Sequence, residues 1–586
     1  MLTRLRPLFP YLWRYRRAFA VGGVSLLLTN GIWVIFPQVI LRAVDDLTHG
    51  VTRDKLLTYS AMIIGIALSK GIFQFLTRWI LIGISRDVEF DLRNDLFKHL
   101  ESLSYDYYQR TRTGDIMART TNDLNAVRMM LGPAIMYSAN TIVFTAGSLM
   151  FMWGISHKLT LYAFVPLPAV SILIQYFGKR IHERFEKIQA TFSDISARAQ
   201  ENFSGARVIR AYVQEKAEAE SFARANREYI KRSLKLVQLM GMLWPTLQTM
   251  LGFAVVLVLW LGGREVLLGR ISVGAFVAFN MYMVQLTWPI IALGWVLNIY
   301  QRGTASMGRI NEIILEKPGV ADGAVASDLA GKETILRGDV EFRDLNFTFG
   351  ESGRPVLRHV NLKIPAGSSL AIVGPTGSGK TTLVNLIPRI YDSPKSGQVL
   401  IDGRPIKDYP LSVLRQNIGF VPQETFLFSD TIRENIAFGV DQASLDAVRA
   451  AAAGASIAAD IESFPEQYET MVGERGITLS GGQKQRTAIA RAMIRDPRIL
   501  VLDDALSSVD TYTEEKILNH LREVMRGRTT ILISHRVSTV RNADRIAVLH
   551  DGEIVEYGTH DQLIEHNGYY TDLHNKQLLE EELARV

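Results

Sequence analysis

The sequence predicts an all-α membrane domain of six helices followed by a cytosolic α/β domain. Three observations predict it. Long apolar stretches fill the first half of the chain and stop near Tyr300. From Gly338 to the end, strand-like runs alternate with helical ones. Within that second half, the apolar run Leu370 to Val373 leads into a glycine-rich turn, Gly374 to Thr381, reading GPTGSGKT.

The apolar stretches place six candidate spans at roughly 18–44, 56–84, 131–155, 159–178, 236–263 and 271–300. Most exceed the ~20 residues that cross the hydrocarbon core. Met1 to Arg17 is basic, aromatic and Pro-containing rather than a short apolar leader, and predicts an amphipathic helix on the cytoplasmic face.

Charge orients the spans. Arg4, Arg6, Arg14, Arg16 and Arg17 precede the first, and Arg86, Arg93, Lys98, Arg110, Arg112, Arg119 and Arg128 separate the second from the third. The segment between spans four and five is richer still, whereas the alternate loops are short and poor in cations. Both termini are therefore expected in the cytoplasm. The net charge of +6 follows this membrane pattern and carries no nucleic-acid signal. With no cysteine in the chain, disulfide frameworks and thiol chemistry are excluded.

The two inner loops read as helix over Asp87 to Leu103 and Arg180 to Asn202, with irregular tips at Ser104 to Gly114 and Ser204 to Gln214. The Gly/Ala/Asp-rich stretch after span six contains the breakers Pro318 and Gly319. The expected division is a membrane domain at 1–315, a linker at 316–337 and a nucleotide-binding domain at 338–586.

Six elements of the second half carry chemistry. Phe349 follows Phe347 on an alternating strand; its ring suits stacking on an adenine, although a core aromatic is the blander reading. The turn Gly374, Pro375, Thr376, Gly377, Ser378, Gly379, Lys380, Thr381 fits G-x-x-x-x-G-K-[ST] and runs on into Thr382. Its backbone N–H groups can wrap a polyphosphate, Lys380 points a charge at the β/γ-phosphates, and the Thr381 hydroxyl suits Mg²⁺. Gln423, in VPQ after the strand-like Ile418 to Val421, offers an amide to Mg²⁺ or to water. Leu479 to Gln483 reads LSGGQ and opens a helical run, so Ser480, Gly481, Gly482 and Gln483 offer close backbone approach and free N–H groups. The apolar strand Ile499 to Asp504 ends in two carboxylates, with Asp503 placed for Mg²⁺ and Asp504 for the attacking water. His535, just after the strand Thr529 to Ser534, is placed for the γ-phosphate.

In this order and at these separations, the motifs resemble an ATP-binding cassette (ABC) exporter of the half-transporter kind, and the resemblance covers essentially the whole chain. It implies ATP and Mg²⁺ as cofactors, membrane lipid as surroundings, and a second half-transporter chain as partner. Two cassettes would pair head to tail, each ATP lying between one phosphate loop and the other chain's LSGGQ. Gly473 to Gly476 resembles the exporter loop that meets the inner loops, and Ser507 to Asp510 the loop crossing between cassettes. Coupling helices are implied near Tyr105 to Thr113 and Ala206 to Gln214, with Tyr212 either a plug for the partner's groove or a packed surface aromatic.

One residue departs from the family pattern. Asp504 stands where strongly hydrolysing members carry Glu, and its carboxylate falls one methylene short. A shortfall of about 1 Å can cost on the order of 10²-fold in rate. With LSGGQ intact, the chain resembles the Asp-containing subunit of bacterial heterodimeric multidrug-type exporters, in which Asp504 would sit in a slow site. A homodimer with two slowed sites is the alternative.

The implied function is ATP-driven export of amphipathic small molecules, drugs or lipids across the inner membrane of a bacterium. A homodimeric lipid or peptide flippase, or an ATP-regulated channel or regulatory subunit, is the competing reading. Lys70, near the middle of span two, costs roughly 2.5–3.5 kcal/mol to insert and so is expected to face the bundle interior, to bind an anionic headgroup or to pair with a carboxylate. Arg78 lies nearer the cytoplasmic end and is expected to snorkel. Trp244, Gln248, Asn280, Tyr282, Gln285, Trp288, Trp295 and Asn298 mix rings and amides in spans five and six, as a cavity for bulky amphipathic compounds would; interface belts and interhelical bonds are the blander reading.

Overall fold

A computed structural model describes residues 2–48, 50, 52–323, 325–326, 336–350, 353–393, 397–473, 476, 479–506 and 525–585. Ser507 to Asp510, Glu474 to Arg475 of the exporter loop, and most of the linker stretch 324–335 lie outside the described residues. The chain forms two compact units, Met1–Lys98 with Gly114–Leu315, and His99–Thr113 with Glu316–Val586.

The first unit is helical: α1 Arg16–Thr48, α2 Arg53–Ser102 (to Lys98 in this unit), α4 Thr113–Ile155, α5 His157–Phe164, α6 Leu167–Ser204, α7 Ala206–Ala211, α8 Glu215–Leu267 and α9 Val273–Ile314. Among the described residues, five of these, α1, α2, α4, α8 and α9, are long and apolar enough to cross a membrane. The expected fourth span is instead divided between α5 and α6 by a turn at Val165 and Pro166. Pro166 caps α6 and Pro168 sits in its first turn, where a missing N–H is tolerated; neither can extend α5. The N-terminal segment also differs from the single helix expected. It forms turns at Leu2–Leu5, Arg6–Leu8 and Phe9–Arg14, because Pro7 and Pro10 each open a new segment. Tyr11 donates to Asp95 at 2.6 Å and Arg14 to Asp91 at 2.7 Å, tying these turns to α2.

The outward face of α2 carries Leu68, Ile72, Phe75 and Trp79, all exposed, as a lipid-facing surface requires. Inside, Val34, Phe144, Met152, Val258, Phe279 and Tyr282 form one cluster, and the buried Tyr282 hydroxyl donates to Val34 O at 2.6 Å. This gives Tyr282 a packing role, and Asn280 likewise bonds within its own helix, to Phe276 O. α4 contains two π-helical turns, Arg119–Asp123 and Met130–Ala134, the second around Pro133. Beside the first, Asp123 accepts from Arg309 Nε at 2.8 Å and from the Ser306 hydroxyl at 2.9 Å.

In the second unit, a six-stranded sheet has the order β10-β9-β3-β8-β7-β6 and a four-stranded sheet the order β2-β1-β4-β5. The strands are β1 Val340–Thr348, β2 Pro355–Ile364, β3 Ser369–Val373, β4 Val399–Ile401, β5 Arg404–Pro405, β6 Ile418–Val421, β7 Ile499–Asp503, β8 Thr529–Ile533, β9 Arg545–His550 and β10 Glu553–Gly558. β6, β7, β8, β3 and β9 pair in parallel. A parallel sheet covered on both faces needs apolar residues at every position. β7 shows why: Ile499 and Val501 enter the cluster toward the smaller sheet, while Leu500 and Leu502 enter the cluster of the helical subdomain. That subdomain contributes α11 Ile432–Ala437, α12 Leu445–Gly454 and α13 Gly481–Met493, and the chain ends with α14 His560–His566 and α15 Tyr569–Arg585. Helix α10, Lys380–Asn385, follows β3, and α3, Tyr105–Arg110, packs in this unit too. Both loop tips, irregular by sequence pattern but implied by the family resemblance to hold helices, carry a short helix each, α3 and α7.

Candidate functional site

Parallel pairing decides where the chemistry gathers. The carboxyl ends of β3, β6, β7 and β8 lie on one sheet edge, so the residues that follow each strand converge there. A cavity of about 190 Å³ at that edge is lined by Thr376, Gly377, Gly379, Lys380, Thr381, Thr382, Gln423, Asp503, Asp504 and His535, with Val356 and Ile533. Sequence reasoning missed the last two, which carry no polar signal.

The phosphate loop needs its glycines for two reasons. A Cβ on Gly374 (φ 147°) would collide with Leu549 O, and one on Gly379 (φ 102°) would meet Leu357 Cδ2 at 2.9 Å. Lys380 Nζ donates to Gly374 O at 2.8 Å and Pro375 O at 2.9 Å. Its burial pulls the ammonium pKa down, against the opposing pull of Asp503 and Asp504. The Thr381 hydroxyl donates to Asp503 Oδ1 at 3.3 Å, while Asp503 Oδ2 and Ser378 Oγ are buried without a partner among the described residues. Burial pushes the Asp503 pKa up; the Thr381 bond and Lys380 oppose this and Asp504 adds to it. Asp504 follows β7 in the left-handed region (φ 49°), its N–H bonded to Ile533 O at 3.0 Å. Gln423 and His535 are exposed beside the cavity.

Mg²⁺ is implied by the motifs, and these residues fit it. Among the described residues no cluster of three His, Asp or Glu exists to cage a metal. What the cavity offers is the Thr381 hydroxyl, the orphaned Asp503 oxygen and the Gln423 amide. Few protein oxygens beside a phosphate cradle suit an ion that keeps water and phosphate ligands.

Two groups of expected residues stand apart from the cavity. Ser480, Gly481, Gly482 and Gln483 open α13, where Ser480 and Gln483 form a reciprocal capping box (Gln483 N to Ser480 Oγ 3.3 Å; Ser480 N to Gln483 Oε1 3.0 Å). Gln483 also donates to Asp460 at 3.0 Å, and Ser480 and Gly481 are exposed. Phe349 lies one residue beyond β1 rather than on it. Its ring meets Phe347 edge-on at 5.0 Å and Tyr391 at 5.2 Å, and Tyr391 in turn meets Tyr105 of α3 at 6.1 Å. No spacing rule pointed to Tyr391, because its neighbours come from distant stretches.

In the membrane unit, a cavity of about 380 Å³ is lined by residues including Asn30, Trp33, Lys70, Gln74, Thr77, Arg78, Asn140, Gln285 and Trp288. Lys70 Nζ sits 3.1 Å from the Trp33 ring centroid. Trp244 and Gln248 line a second, more apolar cavity with Thr287, and Trp295 packs on Tyr137 at 5.1 Å.

A transmembrane domain joined to a nucleotide cradle defines an ATP-powered membrane transporter. The chain matches the family models "ABC transporter transmembrane region" over residues 19–290 and "ABC transporter" over 357–507. It is 37% identical to the probable multidrug resistance ABC transporter ATP-binding/permease protein YheI of Bacillus subtilis, covering 99% of this chain and 98% of that one. It is 36% identical to an ATP-dependent lipid A-core flippase of Syntrophus aciditrophicus, covering 97% and 93%. Its fold matches a bacterial Atm1-family ABC exporter solved with ATP bound, at a TM-score of 0.78 and 31% identity over 96% of this chain and 98% of that one. The chain belongs to the ABC transporter family. It is a multi-pass membrane half-transporter with an ATPase domain, it works as a dimer, and it drives export with ATP.

Proposed function

We propose that this chain exports amphipathic molecules carrying an anionic group across a bacterial inner membrane, as the Asp-containing half of a heterodimer. The supporting observation is the polar cavity in the membrane unit. Lys70 and Arg78 both line it, and among the described residues neither has a carboxylate partner. A cation inside a membrane domain that faces no carboxylate is costly, even when it rests on a ring as Lys70 does on Trp33, and a substrate's anionic group offsets that cost. Trp33, Trp288 and Phe144 supply apolar walls for the rest of the molecule.

Residues 1–315 form the translocation domain in this reading and 338–586 the ATP-hydrolysing domain, with 316–337 between them and both termini in the cytoplasm. Gly374–Thr382 cradle the phosphates and Lys380 leaves its loop carbonyls for the β/γ-phosphates. Thr381, Gln423 and Asp503 would hold Mg²⁺, which would supply charge neutralisation on the phosphate oxygens. Asp504 orients the attacking water, His535 contacts the γ-phosphate and Phe349 stacks on the adenine. Ser480–Gln483 serve the partner's ATP, which accounts for their exposure away from this chain's own cavity. Exposed Phe203, Tyr212 and Val213 at the α6–α8 tip suit docking on the partner's cassette.

The test is ATP-dependent accumulation of an anionic amphipathic dye in inverted vesicles. Lys70→Ala should reduce accumulation of the anionic dye and spare a cationic one. Equal effects on both dyes would remove the anionic assignment. Dissipation of a preset gradient without accumulation would favour the channel reading.

A further inference from the structure

We propose that Gln577 is a positioning residue for His535. The inference rests on the reading above that His535 contacts the γ-phosphate. His535 follows β8 and precedes a four-residue helix, Val537–Val540. The first N–H groups of any helix lack intrahelical acceptors. Here Arg536 occupies the N-cap position and its side chain makes no capping bond. Gln577, from the last helix of the chain, does what a local cap would do. Its Oε1 accepts from Val537 N at 2.7 Å, and its Nε2 donates to the carbonyl oxygen of His535. One amide therefore grips the main chain at His535 and again two residues on.

The grip is useful only if α15 is itself fixed, and it is. Tyr570 is wholly buried in a cluster with Val373, Ile546, Val548 and Leu563. Glu556 accepts from Tyr569 N at 2.6 Å and from Tyr570 N at 3.1 Å. The Tyr570 hydroxyl pairs with His560 Nδ1 at 2.7 Å. Gln577 lies two helical turns beyond Tyr570, on the same face. The helix thus carries the position of the sheet core to the loop that holds His535. Phosphoryl transfer depends on positioning, and a displacement of about 1 Å costs on the order of 10²-fold in rate.

The test uses the full-length chain with its copurifying partner in nanodiscs, measuring ATPase kcat, KM and the thermal midpoint. The variants are Gln577→Leu, Gln577→Glu, His535→Ala and the double variant Gln577→Leu/His535→Ala. Gln577→Leu should lower kcat about tenfold or more with KM for ATP and the midpoint little changed. In the His535→Ala background the same change should cost little further, because both act through one contact. Multiplicative losses, or a wild-type kcat in Gln577→Leu, would overturn the inference and leave the His535 reading standing. A wild-type kcat in His535→Ala would overturn both. Should Gln577→Leu misfold, Gln577→Glu decides: it keeps the acceptor for Val537 N and loses the donor to His535 O. A normal midpoint with lowered kcat supports the proposal, and a wild-type kcat sinks it.

Discussion

The Thr381 hydroxyl donates to one oxygen of Asp503 while the other, buried beside it, has no partner among the described residues. An unsatisfied buried acceptor in a phosphate cradle is a cost carried by the nucleotide-free protein. Burial raises the Asp503 pKa, so its contribution to stability is largest below the ordinary carboxylate value of about 4 and is lost as pH rises through the raised folded value. At pH 7 the ionised group therefore destabilises the empty site. Asp503→Asn should raise the thermal midpoint of the nucleotide-free protein at pH 7, with the gain fading toward pH ~4. It should also abolish the stabilisation given by Mg²⁺ and ATP together. A midpoint below wild type at pH 7 would contradict the electrostatic account.

Asp504 sits at φ 49°, an uncommon conformation for a non-glycine residue in which Asp is enriched over most other side chains. Asp504→Glu should raise basal ATPase on the order of tenfold or more at a small cost in midpoint. An unchanged rate would show that reach of the carboxylate does not limit hydrolysis. Native mass spectrometry of the chain from its own host's membranes completes this prediction. A second, similar subunit at one-to-one is expected; two copies of this chain alone would make Asp504 the working carboxylate of both sites.

Lys380→Ala removes both bonds to the loop carbonyls as well as the charge meant for the phosphates. Binding of a fluorescent ATP analogue and ATPase turnover should both fall steeply. Retention of both at wild-type levels would count against the role given to Lys380.

Phe349 is 40% exposed yet braced edge-on by Phe347 and Tyr391, a held ring with surface available to a base. Base stacking is worth about 1–3 kcal/mol by alanine substitution. Phe349→Ala should weaken ATP binding about 5- to 150-fold and leave inhibition by inorganic tripolyphosphate, which has no base, unaltered. Equal loss for both ligands would mean that the ring only supports the fold.

The phosphate loop and the strands ending at Val421, Asp503 and Ile533 were legible because a short, largely apolar run leads into polar residues at each, the pattern a doubly covered parallel sheet favours. Their convergence followed from strand direction alone. The break in the fourth span was not legible by hydropathy, because Pro166 and Pro168 act through missing N–H groups rather than through polarity. The helices at the loop tips, Tyr105–Arg110 and Ala206–Ala211, are one to two turns long, too short for a periodicity to emerge. Tyr391 and Gln577 could not be found from spacing, since each acts on a residue far away in the chain.

Lys380 has consequences for leaving as well as for arriving. In the proposed role, Gly374 O and Pro375 O would stand ready as acceptors for its ammonium when a phosphate departs. The loop would recapture its own lysine, so bonds given up to spent nucleotide would be replaced from within. A cradle that competed with its guest in this way would favour clearance over retention, which is what a machine that must empty itself every cycle requires.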